Sequence, residues 1–343
     1  MRFVSQALLL LCLLIVLRPT SLAQNNAATL PVSGGDDEVV RVDTNLVSFT
    51  ASVRDRDGKF VTDLRQEDFI VTENGVRQQI SHFAPVEQPF SVVLLLDTSG
   101  STRVRLQDIQ DSAIAFVEQL RPHDRVIPVT FDNEVITLLP VWMSDRNALR
   151  RAIQSARTGV ERAPSRTVRV KGRDEPVTLR YVSTHLYEAV HRAAELLAPV
   201  KGRKAIILLT DGFDTGSSVT FKSTMRESEE LGALIYPVQY CDCEIKDARD
   251  NWSAKWVANN YLESLAEKSG GRFYRAKDMK KIREAFASIA EELRHTYSLG
   301  YYPKAAAAGG QTNATRQVKI KVTRPKLVVR EGKSYVYKPT PAR

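Results

Sequence analysis

Ser91–Ser101 reads SVVLLLDTSGS. Val92–Leu96 is apolar throughout, with no polar alternation. Such a run predicts a strand buried on both faces, as in a parallel sheet covered by helices. It ends abruptly in Asp97-Thr98-Ser99-Gly100-Ser101. A carboxylate and two hydroxyls, spaced two apart, thus follow the carboxyl end of a buried strand, with Gly100 allowing a tight turn. Hard divalent cations such as Mg²⁺ take oxygen ligands of this kind. A second strand of the same type, Ala205–Leu209, ends in Thr210-Asp211-Gly212. If the two strands are neighbours at the switch point of a doubly wound sheet, their carboxyl ends open onto one crevice. Asp97 and Asp211 would then face the same ion.

The surrounding chain alternates strands and helices, the pattern of a doubly wound α/β fold with a mostly parallel sheet. Helices are expected over Leu106–Leu120, Ser144–Ala156 (with Ser144 as N-cap), Leu186–Leu197, Tyr261–Lys268 and Met279–Thr296. Strands are expected over Arg125–Phe131, Leu234–Tyr240 and Arg272–Tyr274, with Glu134–Leu139 returning antiparallel at an edge. Arg157–Tyr181 is longer than a plain connection. Thr167–Val170 and Val177–Tyr181 flanking Lys171–Pro176 predict an inserted hairpin leading into Thr184. Its arginines include Arg169 and Arg173, candidates for selecting an acidic partner. The alternative is a solvated surface hairpin.

The D-x-S-x-S loop, the stretch Ser183-Thr184-His185-Leu186-Tyr187-Glu188-Ala189-Val190 and the later T-D-G resemble the metal-ion-dependent adhesion site of von Willebrand factor A domains. The middle stretch is similar to the family's G-T-x-L-Y-x-A-[IV], with Ser183 where Gly is common. The resemblance covers roughly Pro89–Thr296 and places the domain at residues 88–296. It implies a VWA (Rossmann-like) fold and a metal set of Asp97, Ser99, Ser101, Thr184 and Asp211, holding Mg²⁺ or Mn²⁺. It further implies that Ser99 and Ser101 coordinate directly and that Thr184 joins by movement or through water. Asp97 and Asp211 would hold waters around the ion. The ion would stay electrophilic and accept an Asp or Glu side chain from a protein ligand. The flanks resemble a bacterial secreted subgroup described as "VWFA-related". Without the partner motifs, D-x-S-x-S after a strand is also compatible with a capped helix start. Asp132 and Asp214 lie in loops near the same end and read as turn formers, outside the metal set.

The flanks are β-rich. Residues 41–87 form a small β module: Val42–Val53 alternates weakly, and Glu67–Glu73 is followed by Asn74-Gly75, a strong hairpin signal, with Gln78–Phe83 as the returning arm. Residues 297–343 carry strands at Tyr297–Tyr302, Gln317–Thr323, Leu327–Arg330 and Ser334–Tyr337. In Gln317–Thr323, Val318, Ile320 and Val322 are expected to face inward. Such small pieces cannot each build a core. The two flanks are therefore expected to pack as one discontinuous β-sandwich with the α/β domain inserted between them. Two separate β appendages are the alternative.

The 343-residue chain has a formal net charge of +9. Met1–Ala23 reads as a secretory signal. Arg2 supplies the basic start, Ala7–Leu17 the apolar core and Ser21-Leu22-Ala23 the small residues of a cleavage site. That core is short of the ~20 residues a membrane span needs, and no other stretch is apolar enough. Residues 24–40 read as a flexible linker. The expected location is therefore outside the cytoplasm: periplasm, cell surface or medium. Without Arg2 and Arg18 the charge is about +7, mildly basic, and suits an acidic partner or surface, with ordinary solubility charge as the alternative; no nucleic-acid partner is expected. Export leaves Cys241 and Cys243, too few for a disulfide framework and too close for an unstrained mutual bridge.

Enzyme motifs are weak. No H-E-x-x-H or G-x-S-x-G occurs. Phosphatases with a nucleophilic Asp after the first strand need a second Asp two positions on, where Ser99 stands. His82, His123, His185, His191 and His295 have no metal-ligand spacing. The expectation is a non-enzymatic, adhesion-type binding module. A metal-dependent phosphate-ester hydrolase and an envelope scaffold with a stabilising ion are the alternatives.

Overall fold

The computed structural model describes residues 46–84, 89–162, 165–170, 173–178, 183–240, 252–303, 315–331 and 334–336. The segments expected as leader (1–23) and linker (24–40) and the Cys241/Cys243 pair lie outside the described residues.

The chain opens with β1 (Val47–Arg54), β2 (Phe69–Glu73), β3 (Val76–Gln78) and β4 (Ile80–Ala84). The α/β part runs β5 (Phe90–Asp97), α1 (Leu106–Val117), β6 (Arg125–Phe131), β7 (Val135–Thr137), α2 (Arg146–Gln154) and a single turn, α3 (Gly159–Arg162). A hairpin follows, β8 (Ser165–Val170) and β9 (Arg173–Thr178). Next come α4 (Leu186–Leu197), β10 (Arg203–Thr210), α5 (Phe221–Leu231), β11 (Leu234–Tyr240), α6 (Trp252–Ser269), β12 (Tyr274–Ala276) and α7 (Met279–Arg294). The chain ends in β13 (Thr296–Tyr301), β14 (Thr315–Val322), β15 (Val328–Glu331) and β16 (Ser334–Val336).

The central sheet has the order β12-β11-β10-β5-β6-β7. Every pair in it is parallel except β6 with β7, the antiparallel edge. From β5 the chain proceeds outward to β6, and from β10 outward to β11 and β12, so the order reverses between β5 and β10. That is the switch point. The unbroken apolar run of β5 has a direct cause. Val92, Leu94 and Leu96 face a core with Phe116 of α1 and Phe286 of α7. Val93 and Leu95 face a second core with Leu186 of α4 and Tyr261 of α6. Both faces are buried, so period-two alternation has nothing to mark.

The flanking strands intermix. One four-stranded sheet has the order β15-β1-β13-β4 and another β16-β14-β2-β3. Each therefore combines strands from both ends of the chain. Phe49, Ala51 and Leu299 of the first sheet share a core with Phe69, Val71 and Ile320 of the second. Tyr297 ties the flanks together: its hydroxyl donates to the Val61 carbonyl at 2.9 Å and accepts from the Leu64 amide at 3.0 Å.

The structure corrects several boundaries. The Asn74-Gly75 turn pairs β2 with the short β3, whereas β4 crosses to the other sheet and pairs with β13. Asp145, not Ser144, caps α2, accepting from the Ala148 amide. Helix α6 begins at Trp252, well before Tyr261, because its first turns expose Trp256 and Val257 and so lack an apolar stripe. Helix α5 had no sequence counterpart. Its signals were Thr220, which caps the Ser223 amide, and Gly232 in the left-handed conformation at its end. Strand β9 starts at Arg173, leaving a two-residue connection rather than Lys171–Pro176. Among the described residues, no helix is long and apolar enough to cross a membrane.

Candidate metal-binding site

Strands β5 and β10 lie side by side, Leu96 opposite Leu209, so Asp97 and Asp211 leave the sheet at the same edge. The chain then turns into a short 3₁₀ helix, Gly100–Arg105, stabilised where Thr102 donates through its amide and hydroxyl to the Ser99 carbonyl. This turn folds Ser99 and Ser101 back over the strand ends. Their hydroxyl oxygens are 3.0 Å apart, and Ser101 Oγ donates to Asp211 Oδ2 at 2.6 Å. Asp97 is wholly buried. Its Oδ1 accepts from the Ser99 amide at 3.0 Å and its Oδ2 from Thr210 Oγ1 at 2.7 Å. Four of the five predicted residues therefore belong to one hydrogen-bonded cluster, with Thr210 closing it across the switch point.

Thr184 is tied to the same edge through its backbone. Its amide donates to Thr215 Oγ1 at 2.8 Å, and its carbonyl accepts from the Thr215 amide at 2.9 Å. The next residue, His185, donates its amide to the Asp132 carbonyl. The Asp132 carboxylate accepts from Thr98 Oγ1 at 3.1 Å and from the Glu134 amide. Asp132 thus links the ends of β5 and β6 to the Thr184 loop. Asp214 does similar work between loops, accepting from the Tyr187 amide and from Ser217 Oγ. Both aspartates are more than local turn formers. Gln239 carries no motif in the sequence, yet its Nε2 donates to the Asp211 carbonyl and to Asn259 Oδ1, fixing the T-D-G turn against α6. Gly212 in that turn has φ +96 and packs 3.0 Å from Leu262 at the place a Cβ would occupy. A side chain there is excluded on both counts.

The electrostatics are unfavourable for the isolated protein. Burial, and then the nearby Asp211 carboxylate, push the Asp97 carboxyl up to about 7. Burial also raises Asp211, against the Ser101 hydrogen bond that lowers it. The residues present fit a hard divalent cation. The convergent side-chain donors are all oxygen, and a cation beside the two carboxyls offsets both burial and their mutual repulsion. Among the described residues there is no cluster of three or more His, Cys, Asp or Glu side chains.

Residues 92–213 match the family model of the von Willebrand factor type A domain. The chain carries a von Willebrand factor type A domain. Several solved A-domain structures are similar to it. The vWF domain of the type V pili tip protein Mfa5 from Porphyromonas gingivalis is 16% identical with TM-score 0.44, covering 59% of this chain and 94% of that one. The conserved hypothetical protein BatB from Bacteroides thetaiotaomicron is 18% identical with TM-score 0.41, covering 60% and 97%. The von Willebrand factor type A protein from Catenulispora acidiphila is 11% identical with TM-score 0.43, covering 85% and 74%. Against proximal thread matrix protein 1 from the mussel byssus, the match spans 48% of that protein's length. No curated protein matches the chain.

The hairpin that precedes Thr184 is present, with Val170 opposite Arg173 and Arg169 opposite Asp174. It leaves the A domain beside the site, because α3 begins at Gly159, whose amide donates to the Thr98 carbonyl at 3.4 Å.

Proposed function

We propose that this protein is an exported, non-enzymatic binding module whose A domain holds Mg²⁺ (or Mn²⁺) through Asp97, Ser99, Ser101, Thr184 and Asp211. The partner is a protein that presents an Asp or Glu side chain. When bound, the ion supplies an open coordination position for that carboxylate. The carrying observation is the convergence of Asp97, Ser99, Ser101 and Asp211 at one strand edge, with Ser101 Oγ 2.6 Å from Asp211 Oδ2. In this reading Ser99 and Ser101 present hydroxyl oxygens directly. Thr210 and the Ser99 amide hold Asp97 in place. Asp132 keeps the Thr184 loop in register with the β5 turn. The signal-like Met1–Ala23 supports export.

The test is a calorimetric titration of Mg²⁺ and Mn²⁺ into the chain without its leader, beside a Ser99→Ala/Asp211→Ala sample whose folding is checked by circular dichroism. One-to-one binding in the first and none in the folded second is expected. Equal binding in both would remove the site assigned here.

A further inference from the structure

The β8–β9 hairpin shares no ladder with the other three sheets among the described residues. A lone two-stranded sheet is marginal in water and has two free edges. The edges are not equivalent. In an antiparallel pair, residues alternate between those that bond each other and those whose N–H and C=O point away from the partner strand. Pro176 lies opposite Thr167 and has no N–H to give. Proline is placed in strands with its nitrogen facing the free side. Thr167–Pro176 is therefore an outward-pointing pair, and so are Ser165–Thr178 and Arg169–Asp174. The two-residue connection gives the same phase, since the pair closing it, Val170–Arg173, is the bonded kind. Strand β9 thus has its free edge interrupted at the centre by proline. Strand β8 offers an uninterrupted edge of three donors and three acceptors at Ser165, Thr167 and Arg169.

Charge separates the two strands as well. Ser165–Val170 carries Arg166 and Arg169 and no acid, while Arg173–Thr178 carries Arg173 with Asp174 and Glu175. Arg169 stands opposite Asp174 in the backbone register. A third strand added on β8 would meet a wholly basic neighbour, and directly facing opposite charges stabilise such pairs.

We infer that β8 is a docking edge for a partner segment that adds as a third strand, an extended, β-branched peptide rich in Asp and Glu. This rests on the metal-site proposal and deepens it by giving the partner's form: β8 begins six residues after Gly159, whose amide bonds the Thr98 carbonyl next to the proposed ligands. The strand bonds themselves need no metal, which makes the two ideas separable.

The full chain without its leader is panned in EDTA against a displayed library of random twelve-residue peptides. Peptides carrying two acids three positions apart among β-branched residues are expected. Their binding protects the Ser165, Thr167 and Arg169 amides from hydrogen exchange. Thr167→Pro, which removes one outward N–H, and Arg166→Glu/Arg169→Glu each weaken binding at least tenfold. Thr178→Pro, the mirror change on β9, leaves it unchanged. Continued exchange protection of the Arg166, Val168 and Val170 amides shows that the hairpin survives Thr167→Pro. The proposal is overturned if no peptides emerge, if they lack acids, or if they bind the Thr167→Pro chain equally well. It also falls if the edge is filled by a second copy, seen as a dimer that Thr167→Pro dissolves. Binding that appears only with Mg²⁺ and depends on Ser99 and Asp211 but not on Thr167 would leave the metal site standing and sink the edge.

Discussion

Asp97→Asn separates the cost of the site from its use. In the folded, metal-free chain the Asp97 carboxyl titrates at about 7, against 3.8 for the ordinary group, chiefly because it is buried. The native state therefore binds the proton more tightly than the unfolded chain does. Stability is full below pH 3.8, falls as pH rises, and levels off above pH 7. At about 1.4 kcal/mol per tenfold, the whole displacement is worth about 4 kcal/mol, of which about 2.5 kcal/mol is lost between pH 5 and pH 8. Asp211, raised in the same direction by burial, steepens the slope. Asparagine keeps the shape. One amide atom still accepts from the Ser99 amide, and the other donates to Thr210 Oγ1 once that hydroxyl rotates. Urea unfolding in EDTA at pH 5 and pH 8 should then show the wild type losing stability that Asp97→Asn retains. Excess Mg²⁺ at pH 8 should restore the wild type and leave the variant unchanged. A wild-type chain that is more stable at pH 8 than at pH 5 in EDTA, relative to Asp97→Asn, would refute the reasoning. The carboxylate would then be stabilised by the protein alone.

Three further substitutions test the frame that holds the site. Gly271 approaches the Ile235 backbone so closely that a Cβ would stand 1.9 Å from its carbonyl oxygen, so Gly271→Ala should cost about 1–3 kcal/mol or more in denaturant unfolding. Glu292 is buried and is held by Arg54 at 3.2 Å and the Tyr236 hydroxyl at 3.3 Å. Arg54→Met should cost about 3–5 kcal/mol by stranding that charge, and Arg54→Met/Glu292→Gln should recover most of it. Thr220→Ala removes the cap of α5 and should cost about 1 kcal/mol, with the loss of exchange protection confined to its first turn.

The parts of the fold legible in the sequence are those where burial is symmetric or periodic. Val92–Leu96 and Ala205–Leu209 announce themselves because both faces are covered, and Leu186–Leu197 because its apolar face repeats cleanly. Helix α5 has a polar sequence, and its buried positions include Thr224 and Ser228 beside Met225 and Leu231, so no apolar stripe marks it. The site divides in the same way. Asp97, Ser99, Ser101 and Asp211 sit in short motifs at strand ends, where spacing carries the message. The work of Thr210, Asp132 and Gln239 depends on which strands become neighbours. Thr210 reaches Asp97 across 113 positions and Asp132 reaches Thr98 across 34, through contacts that only the finished sheet creates. In sequence Asp132 therefore reads as a turn former, whereas in the fold its carboxylate joins two loops.

The two ends of the central strands carry different loads. At the amino ends, Asp124 accepts from the Phe90 amide, Arg203 donates to Thr296 Oγ1, and the His295 ring stacks on Phe60 with centroids 4.9 Å apart. Helix α7 passes into β13 with only His295 between them, and β13 lies inside the flanking sheet. The β-sandwich is thus fixed to this end by backbone continuity, hydrogen bonds and the Arg54–Glu292 pair. The oxygen cluster lies at the other end, seven residues along β5 from Phe90 to Asp97, roughly 23 Å away at about 3.3 Å per residue. That separation has a physical logic. The junction needs neutralised charge and close packing, which the sandwich supplies. The oxygen cluster holds two carboxyls together at a cost, on loops at the far edge of the sheet. A fold that put both at one edge would bury the carboxyls beneath the second domain. By placing them at opposite edges, the sheet between them confines the destabilising part to loops tied down by Asp132, Asp214 and Gln239.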